Sequence, residues 1–90
     1  MTLVRISSSA SQDVRTAVSY YAEQGAGLAD AFLVDLDRSC SLIADAPEIG
    51  SSIGHGFRRL VMQRFPFFVI YRFEREEATV FAVGHQRRHP

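Results

Sequence analysis

The amino-acid sequence predicts an α+β fold, in which an N-terminal strand is followed by an α-helical hairpin that packs on one face of a small antiparallel sheet. Two segments with helical periodicity, residues 10–24 and 28–46, follow one another almost without a linker. Three strand-like segments then follow one another between residues 57 and 85. Helices joined to helices, and strands joined to strands, are typical of α+β domains. The predicted order is therefore β-α-α-β-β-β.

The first strand is predicted over residues 2–7, where apolar and polar side chains alternate. We expect it at the edge of the sheet or beside the long central strand. The first helix follows, because Ser9 and Gln12 have the spacing of a helix-opening capping box and apolar residues then recur at helical intervals. Gly25 is predicted to end this helix in the left-handed conformation.

The second helix is predicted from Leu28 to about Ala46. Its apolar residues fall close to every fourth position, and Pro47 cannot continue a helix. Only two residues separate it from the first helix, so the two helices must run antiparallel. Residues 47–56 contain three glycines and two serines and are predicted to form a loop.

The three late strands are predicted to form an antiparallel meander. Residues 67–73 are apolar at nearly every position, which is typical of a central strand covered on both faces. Residues 57–63 precede it, and Pro66 is placed at a strand entry or a bulge because proline cannot donate a ladder hydrogen bond. Residues 74–77 are predicted to be a charged hairpin turn, and residues 78–85 the last strand.

Composition limits the classes of function that fit this chain. Its 90 residues predict one domain over residues 1–90, and a formal net charge of zero argues against a general electrostatic affinity for DNA, RNA or membranes. We expect no direct sequence-specific DNA binding. One cysteine excludes an internal disulfide framework, and no apolar run is long enough to span a membrane. The expected compartment is the cytoplasm.

No residue pattern indicates a metal ion, a cofactor or a catalytic nucleophile. The single cysteine and three histidines lack metal-ligand spacing, and no glycine-rich phosphate loop follows a strand into a helix. All ten basic residues are arginine, and the chain has no lysine. Arginine is favoured for bidentate contacts with phosphate or carboxylate groups. The arginines therefore either form a working surface on the sheet or pair with acidic residues and solvent.

Alternation along the strands predicts where some of these side chains point. If Leu60 and Met62 meet the helices, Arg59 lies on the open face of the sheet. Arg72 lies on the central strand, and His85 ends the last strand. A positive cleft built from such residues would suit a phosphodiester, with arginine stabilising the charged transition state and histidine transferring a proton.

A series of short segments carries a resemblance to a known family. In chain order they are Ala10 with Asp13-Val14, the pair Tyr20-Tyr21, Ala29-Asp30-Ala31-Phe32, Asp45-Ala46-Pro47-Glu48-Ile49-Gly50, Phe57-Arg58-Arg59-Leu60, Arg64-Phe65-Pro66-Phe67, Val69-Ile70-Tyr71-Arg72 and Val83-Gly84-His85-Gln86-Arg87-Arg88. In this order and spacing they resemble the RelE/ParE superfamily of bacterial type II toxins, and within it the ParE branch. The resemblance covers nearly the whole chain.

The resemblance implies a compact toxin fold and a cognate antitoxin, ParD-like or related, whose C-terminal part wraps the toxin in a hetero-oligomer. ParE-like members are associated with poisoning DNA gyrase and are not themselves enzymes. RelE-like members cut mRNA on the ribosome with lysines, arginines and often a C-terminal tyrosine. This chain has no lysine and no tyrosine after Tyr71. The resemblance therefore favours a toxin that inhibits DNA gyrase by protein binding.

Two alternatives remain beside the gyrase inhibitor. One is a ribosome-dependent mRNA endonuclease with Arg59, Arg64, His85 and Arg87 in its site. The other is a degenerate toxin that only binds antitoxin. In either binding role, the residues expected to contact the target or the antitoxin are Arg58, Arg59, Arg64, Phe67, Arg72, Phe81, His85, Arg87 and Arg88.

Overall fold

The computed structural model describes residues 2–87 and confirms the α+β fold class. Its elements are β1 (Leu3–Ile6), α1 (Ser8–Gln24), α2 (Leu28–Asp45), β2 (Ser51–Gly54), β3 (Phe57–Val61), β4 (Phe67–Glu74) and β5 (Glu77–His85). The strands form one five-stranded sheet in the order β1-β5-β4-β3-β2. The two helices pack together against one face of it. None of the helices in residues 2–87 has the length and apolar character needed to cross a membrane.

The sheet is mixed rather than wholly antiparallel. Strands β2 to β5 pair antiparallel, but Leu3–Ile6 of β1 pairs in parallel with residues 77–80 of β5. The strand β1 lies at the edge, which is one of the two positions predicted. Each successive element reverses the chain direction, so the number of elements between β1 and β5 decides their relative orientation. The strand β2 was not predicted, and without it the predicted order β-α-α-β-β-β would make β1 and the last strand antiparallel.

The missed strand lies in the segment predicted to be a loop. Ser51–Gly54 pairs with β3 through a tight turn in which His55 and Gly56 both have positive φ, 56° and 81°. Every residue of β2 is exposed, so no alternation of apolar and polar side chains marks it. Only its backbone pairing defines it as a strand.

The strand β4 is central, as predicted, but the helices cover only one of its faces. Phe67, Val69 and Tyr71 are buried under the helices. Phe68 and Ile70 alternate with them, point the other way and are only half-buried. The prediction that both faces of β4 are covered is therefore wrong for the chain alone.

The helix caps differ by a few residues from those predicted. Ser7, not Ser9, is the N-cap of α1, and its Oγ accepts a hydrogen bond from the N–H of Ala10 at 3.1 Å. Gly25 ends α1 in an extended conformation, with φ 172° and ψ 157°. The left-handed residue is Gly27, with φ 80°, which begins α2. The left-handed residue of this short turn is therefore the one immediately before α2, not the one immediately after α1.

The core below the sheet is built around an aromatic cluster. Phe32 of α2 contacts Tyr21 of α1, Phe65 and Phe67, with ring centroids 5.0–5.7 Å apart. Asp35, which is 1% exposed, holds the turn before β4 in place, because its Oδ2 accepts hydrogen bonds from the N–H groups of Arg64 and Phe65 at 2.9 and 2.8 Å. The turn and the helical hairpin are thereby fixed together.

Candidate functional site

The face of the sheet turned away from the helices is the first candidate site. Residues of β3 and β4 lie opposite one another there, and a β-bulge next to Ile70 and Tyr71 turns Phe81 of β5 onto the same face. The ring of Phe81 lies 5.6 Å from that of Phe57, edge to face. We define the open face by Phe57, Arg59, Val61, Phe68, Ile70, Arg72 and Phe81.

Two arginines of the open face are held over aromatic rings. The guanidinium of Arg59 lies 4.6 Å from the ring centroid of Phe68, and that of Arg72 lies 5.2 Å from that of Phe57. Such cation–π contacts contribute about 0.5–1 kcal/mol each at exposed sites. Arg72 also lies 3.8 Å from a carboxylate oxygen of Glu74, which is a long ion pair. Both guanidiniums are thereby positioned with N–H donors left over for a partner's carboxylate or phosphate.

Gly84 determines the position of the Phe68 ring on the open face. A Cβ atom at Gly84 would lie 2.6 Å from Cζ of Phe68, so the ring rests directly on the glycine backbone. Any larger residue would push the ring away from its position beside Arg59. The sequence contained no signal for this role, because the two residues become neighbours only through the pairing of β4 with β5.

A groove between α1 and the C-terminal half of β5 is the second candidate site. Its cavity volume is about 660 Å³. We call it the α1–β5 groove, and its lining residues are Asp13, Thr16, Ala17, Tyr20, Tyr21, Phe67, Val83, His85 and Arg87. Its lining combines aromatic side chains with a few polar and charged ones, as that of ligand-binding clefts commonly does.

Two hydrogen bonds hold side chains that line the α1–β5 groove. Oδ2 of Asp13 accepts a hydrogen bond from the N–H of Val83 at 2.9 Å. Nδ1 of His85 accepts one from the N–H of Arg87 at 3.0 Å, which in the neutral imidazole leaves Nε2–H free to donate. Burial, with the neighbouring tyrosine hydroxyl as a smaller cause, raises the pKa of Tyr21. Its hydroxyl therefore stays neutral across the physiological pH range.

The structure divides the residues expected to contact a partner into two groups. Arg59, Arg72 and Phe81 come together on the open face. Phe67, His85 and Arg87 line the α1–β5 groove, where the His85 ring lies edge to face against Phe67 at 5.1 Å. The sequence analysis missed the α1 side of this groove. Its signal was present in Tyr20 and Tyr21, which recur with Asp13 on one helical face.

The remaining expected residues lie elsewhere. Nη1 of Arg58 donates hydrogen bonds to the backbone carbonyls of Glu48 and Gly50, at 3.2 and 2.7 Å, and so holds the segment after α2. Arg64 lies in the turn before β4, and its guanidinium carbon is 5.8 Å from the ring centroid of Phe65. Arg88 lies outside the described residues.

The residues of the ribonuclease alternative do not share one surface. Arg59 is opposite Ile70 on the open face. His85 is opposite Phe67, whose side chain is buried under the helices, so His85 belongs to the other face of the sheet. Within residues 2–87, no three side chains of the His, Cys, Asp and Glu types come together in a way that could hold a metal ion.

Fold and surfaces together define a small α+β domain that presents two contact surfaces, the open face and the α1–β5 groove. Such surfaces are typical of proteins that act by binding other macromolecules. The family model described as the ParE toxin of the type II toxin–antitoxin system, parDE, matches residues 4–90. The chain therefore belongs to the ParE toxin family, which confirms the resemblance seen in the sequence.

A solved structure supports the same fold. A chain described as "Chromosomal ParDE TA system from P. aeruginosa" matches with a TM-score of 0.80 over 94% of this chain and 96% of its own length. The two sequences are 19% identical, so the likeness concerns the fold. A comparison with curated proteins found no relative.

Proposed function

We propose that this chain arrests growth by binding DNA gyrase, that it catalyses no reaction itself, and that a cognate antitoxin neutralises it. The observation that carries the proposal is the open face of a ParE-family chain: two arginines held over phenylalanine rings on an uncovered sheet. Apolar area and prepositioned charge side by side are what a protein-binding surface needs.

The binding mode follows from the chemistry of the open face. Phe57, Phe68 and Phe81 supply apolar area, and the two guanidiniums supply planar donor groups that match a carboxylate in bidentate geometry. A formal net charge of zero gives the chain no general attraction to DNA. Affinity for gyrase must then come from local contacts with apolar and acidic side chains of the target.

The placement of the arginines and His85 supports a non-catalytic role. A general acid or base must come within hydrogen-bond reach of the reacting group, directly or through one water molecule. Arg59 and His85 belong to opposite faces of the sheet, so one phosphodiester could not contact both in this fold. Of the four residues of the ribonuclease alternative, only His85 and Arg87 lie together, in the α1–β5 groove, so that alternative would need a site without Arg59.

The antitoxin is proposed to be ParD-like or related and to form a hetero-oligomer with this chain in the cytoplasm. A chain of 90 residues buries only about 60–65% of its unfolded surface, so its own core is marginal. A partner that binds only the folded chain adds stability by mass action. Neutralisation and stabilisation would thus result from the same contact.

The test is inhibition of supercoiling by purified gyrase. We expect wild-type chain to inhibit, and the double variant Arg59→Ala/Arg72→Ala to need at least about tenfold more protein for half-inhibition, since interface arginines are frequent energetic hot spots. The matched control is Arg15→Ala/Arg38→Ala, which removes the same charge from exposed positions on α1 and α2. The control should inhibit as the wild type does.

Induced expression without the antitoxin, with plasmid topology and mRNA ends read from one culture, separates the alternatives. Lost negative supercoiling with intact mRNA supports gyrase inhibition. New mRNA ends inside codons with normal topology would replace it with the ribonuclease alternative. Normal growth would leave only the antitoxin-binding role.

A further inference from the structure

The strand β5 is more than twice as long as β1, its neighbour on the side away from β4. It spans the nine residues Glu77–His85, whereas β1 has four residues and pairs only with residues 77–80. After Ile6 the chain turns into α1, and the N–H of Ser7 makes the last backbone contact, with the carbonyl of Val80 at 2.9 Å. Residues 81–85, which we call the free edge of β5, have no strand beside them on this side within residues 2–87.

Alternate residues of the free edge direct their backbone N–H and carbonyl groups away from β4, on the side of α1. The N–H of Val83 points outward to Asp13, whereas the N–H of Gln86 points inward and donates to the carbonyl of Pro66 at 2.8 Å. Backbone groups of successive strand residues alternate in direction. The carbonyl of Val83 and the N–H and carbonyl of His85 therefore point outward, away from β4. Such unpaired edge groups are a template for an added strand.

The side chains around the free edge would accept an apolar residue flanked by an acidic one. Tyr21, Phe67 and Val83 form the apolar floor of the groove, and Arg87 lies at its end. The carboxylate of Asp13 is already used by Val83, and Arg87 forms no ion pair with any of residues 2–87. A carboxylate from a partner would therefore meet a guanidinium that forms no ion pair within residues 2–87.

We propose that an extended segment of the antitoxin binds the free edge of β5 as an added strand, with an apolar side chain over Tyr21 and Phe67 and an acidic side chain at Arg87. This inference rests on the proposed function, because it requires an antitoxin. A second copy of this chain fits less well: within residues 2–87 its free strand edges are Leu3–Ile6, Ser51–Gly54 and residues 81–85, and none of them contains an acidic residue. The outward backbone groups favour a strand over a helix, since a helix leaves no backbone groups for pairing.

Amide hydrogen exchange tests the added strand directly. In the complex of the full chain with its antitoxin, the amide of His85 should exchange at least about tenfold more slowly than in the free chain, because pairing removes it from water. Gly84 is the internal control, since its amide points towards β4 in both states. Unchanged exchange at His85, in a complex that forms, would overturn the added strand.

A second measurement tests the groove by blocking it. Thr16 is exposed and lines the groove, so Thr16→Arg places a bulky cation in it without disturbing the core. We expect its affinity for the antitoxin to fall about 100-fold, whereas Ala22→Arg, the same change on the exposed opposite side of α1, should cost less than about threefold. Wild-type affinity in Thr16→Arg would refute the site while leaving the proposed function standing. Failure of the wild-type chain to bind any antitoxin would refute both.

Discussion

At the scale of single residues, the most instructive side chain is that of Tyr71. It is fully buried, its hydroxyl donates to the carbonyl of Pro47 at 2.6 Å, and it accepts from the N–H of Gly50 at 2.9 Å. Both partners belong to the segment between α2 and β2. One phenol therefore satisfies one buried and one partly buried backbone group and holds this segment against the sheet.

Removal of this hydroxyl should destabilise the fold. We expect Tyr71→Phe to lower the free energy of unfolding by about 1–3 kcal/mol, because it leaves a buried N–H and a partly buried carbonyl without their partner. Urea denaturation measures the loss. Tyr20→Phe, which removes a hydroxyl from a residue that is 56% exposed, should change stability by less than about 0.5 kcal/mol. Equal effects of the two substitutions would contradict this role.

Sequence reasoning identified the arginines but not what each of them contacts. Arg58 was expected on a binding surface, yet its guanidinium holds backbone carbonyls. Neither Asp13 nor Asp35 was assigned a role, yet both carboxylates accept backbone N–H groups, from residues 70 and 29 positions away in sequence. No local pattern records partners at such separations. The residue types of the site could be predicted, whereas their pairings required the fold.

At the scale of elements, the β4–β5 hairpin contains an unusual turn. Arg75 and Glu76, the two residues between the strands, both have positive φ, 54° and 63°. Two-residue hairpin turns of this kind favour Asn-Gly, because side chains larger than that of glycine disfavour positive φ. The hairpin is therefore held in place by the strands rather than by its turn residues.

Substitutions that relieve the backbone strain of this turn should stabilise the protein. We expect Arg75→Asn/Glu76→Gly to raise the free energy of unfolding by about 1 kcal/mol, measured by urea denaturation. Arg75→Ala/Glu76→Ala is the matched control, since it removes the same two charges but keeps a Cβ at both positive-φ positions, and it should give no gain. A gain of equal size in the control would point to charge repulsion in the turn instead of backbone strain.

The helices and the apolar strands of this chain were predictable because their residues carry a periodic pattern. Leu28 and Pro47 marked the ends of α2 to within two residues. Ser51–Gly54 carried no pattern, since all four residues are exposed and only the backbone of β3 defines them as a strand. This unpredicted strand is what makes β1 and β5 parallel, because it adds one reversal of the chain between them.

At the scale of the whole molecule, the apolar pattern of β4 has a second meaning. Residues 67–73 predicted a strand covered on both faces, and the chain itself covers only one. The apolar pattern indicates that both faces of the strand are shielded from water, but it does not distinguish shielding by the same chain from shielding by a partner protein. An apolar strand face that its own helices leave open is consistent with a surface completed by a partner.

The two contact surfaces should act independently, because the sheet separates them. The open face lies on the side away from the helices, whereas the α1–β5 groove lies beside α1. Substitutions this far apart, with no shared contacts, usually have additive effects. We therefore expect Arg59→Ala/Arg72→Ala to keep wild-type affinity for the antitoxin within about threefold, and Thr16→Arg to inhibit gyrase as the wild type does.

The measurement is a pair of assays on the same four proteins: the wild type, each variant and their combination. Affinity is measured for the antitoxin, and half-inhibition of supercoiling for gyrase. If the surfaces are independent, the combined variant loses as much antitoxin affinity as Thr16→Arg alone, and as much gyrase inhibition as Arg59→Ala/Arg72→Ala alone. If either variant impaired both activities, antitoxin and gyrase would share a surface, and neutralisation would be direct competition. If each impaired only one, neutralisation would have to come from steric exclusion of gyrase by the bound antitoxin rather than from antitoxin contacts with Arg59 and Arg72.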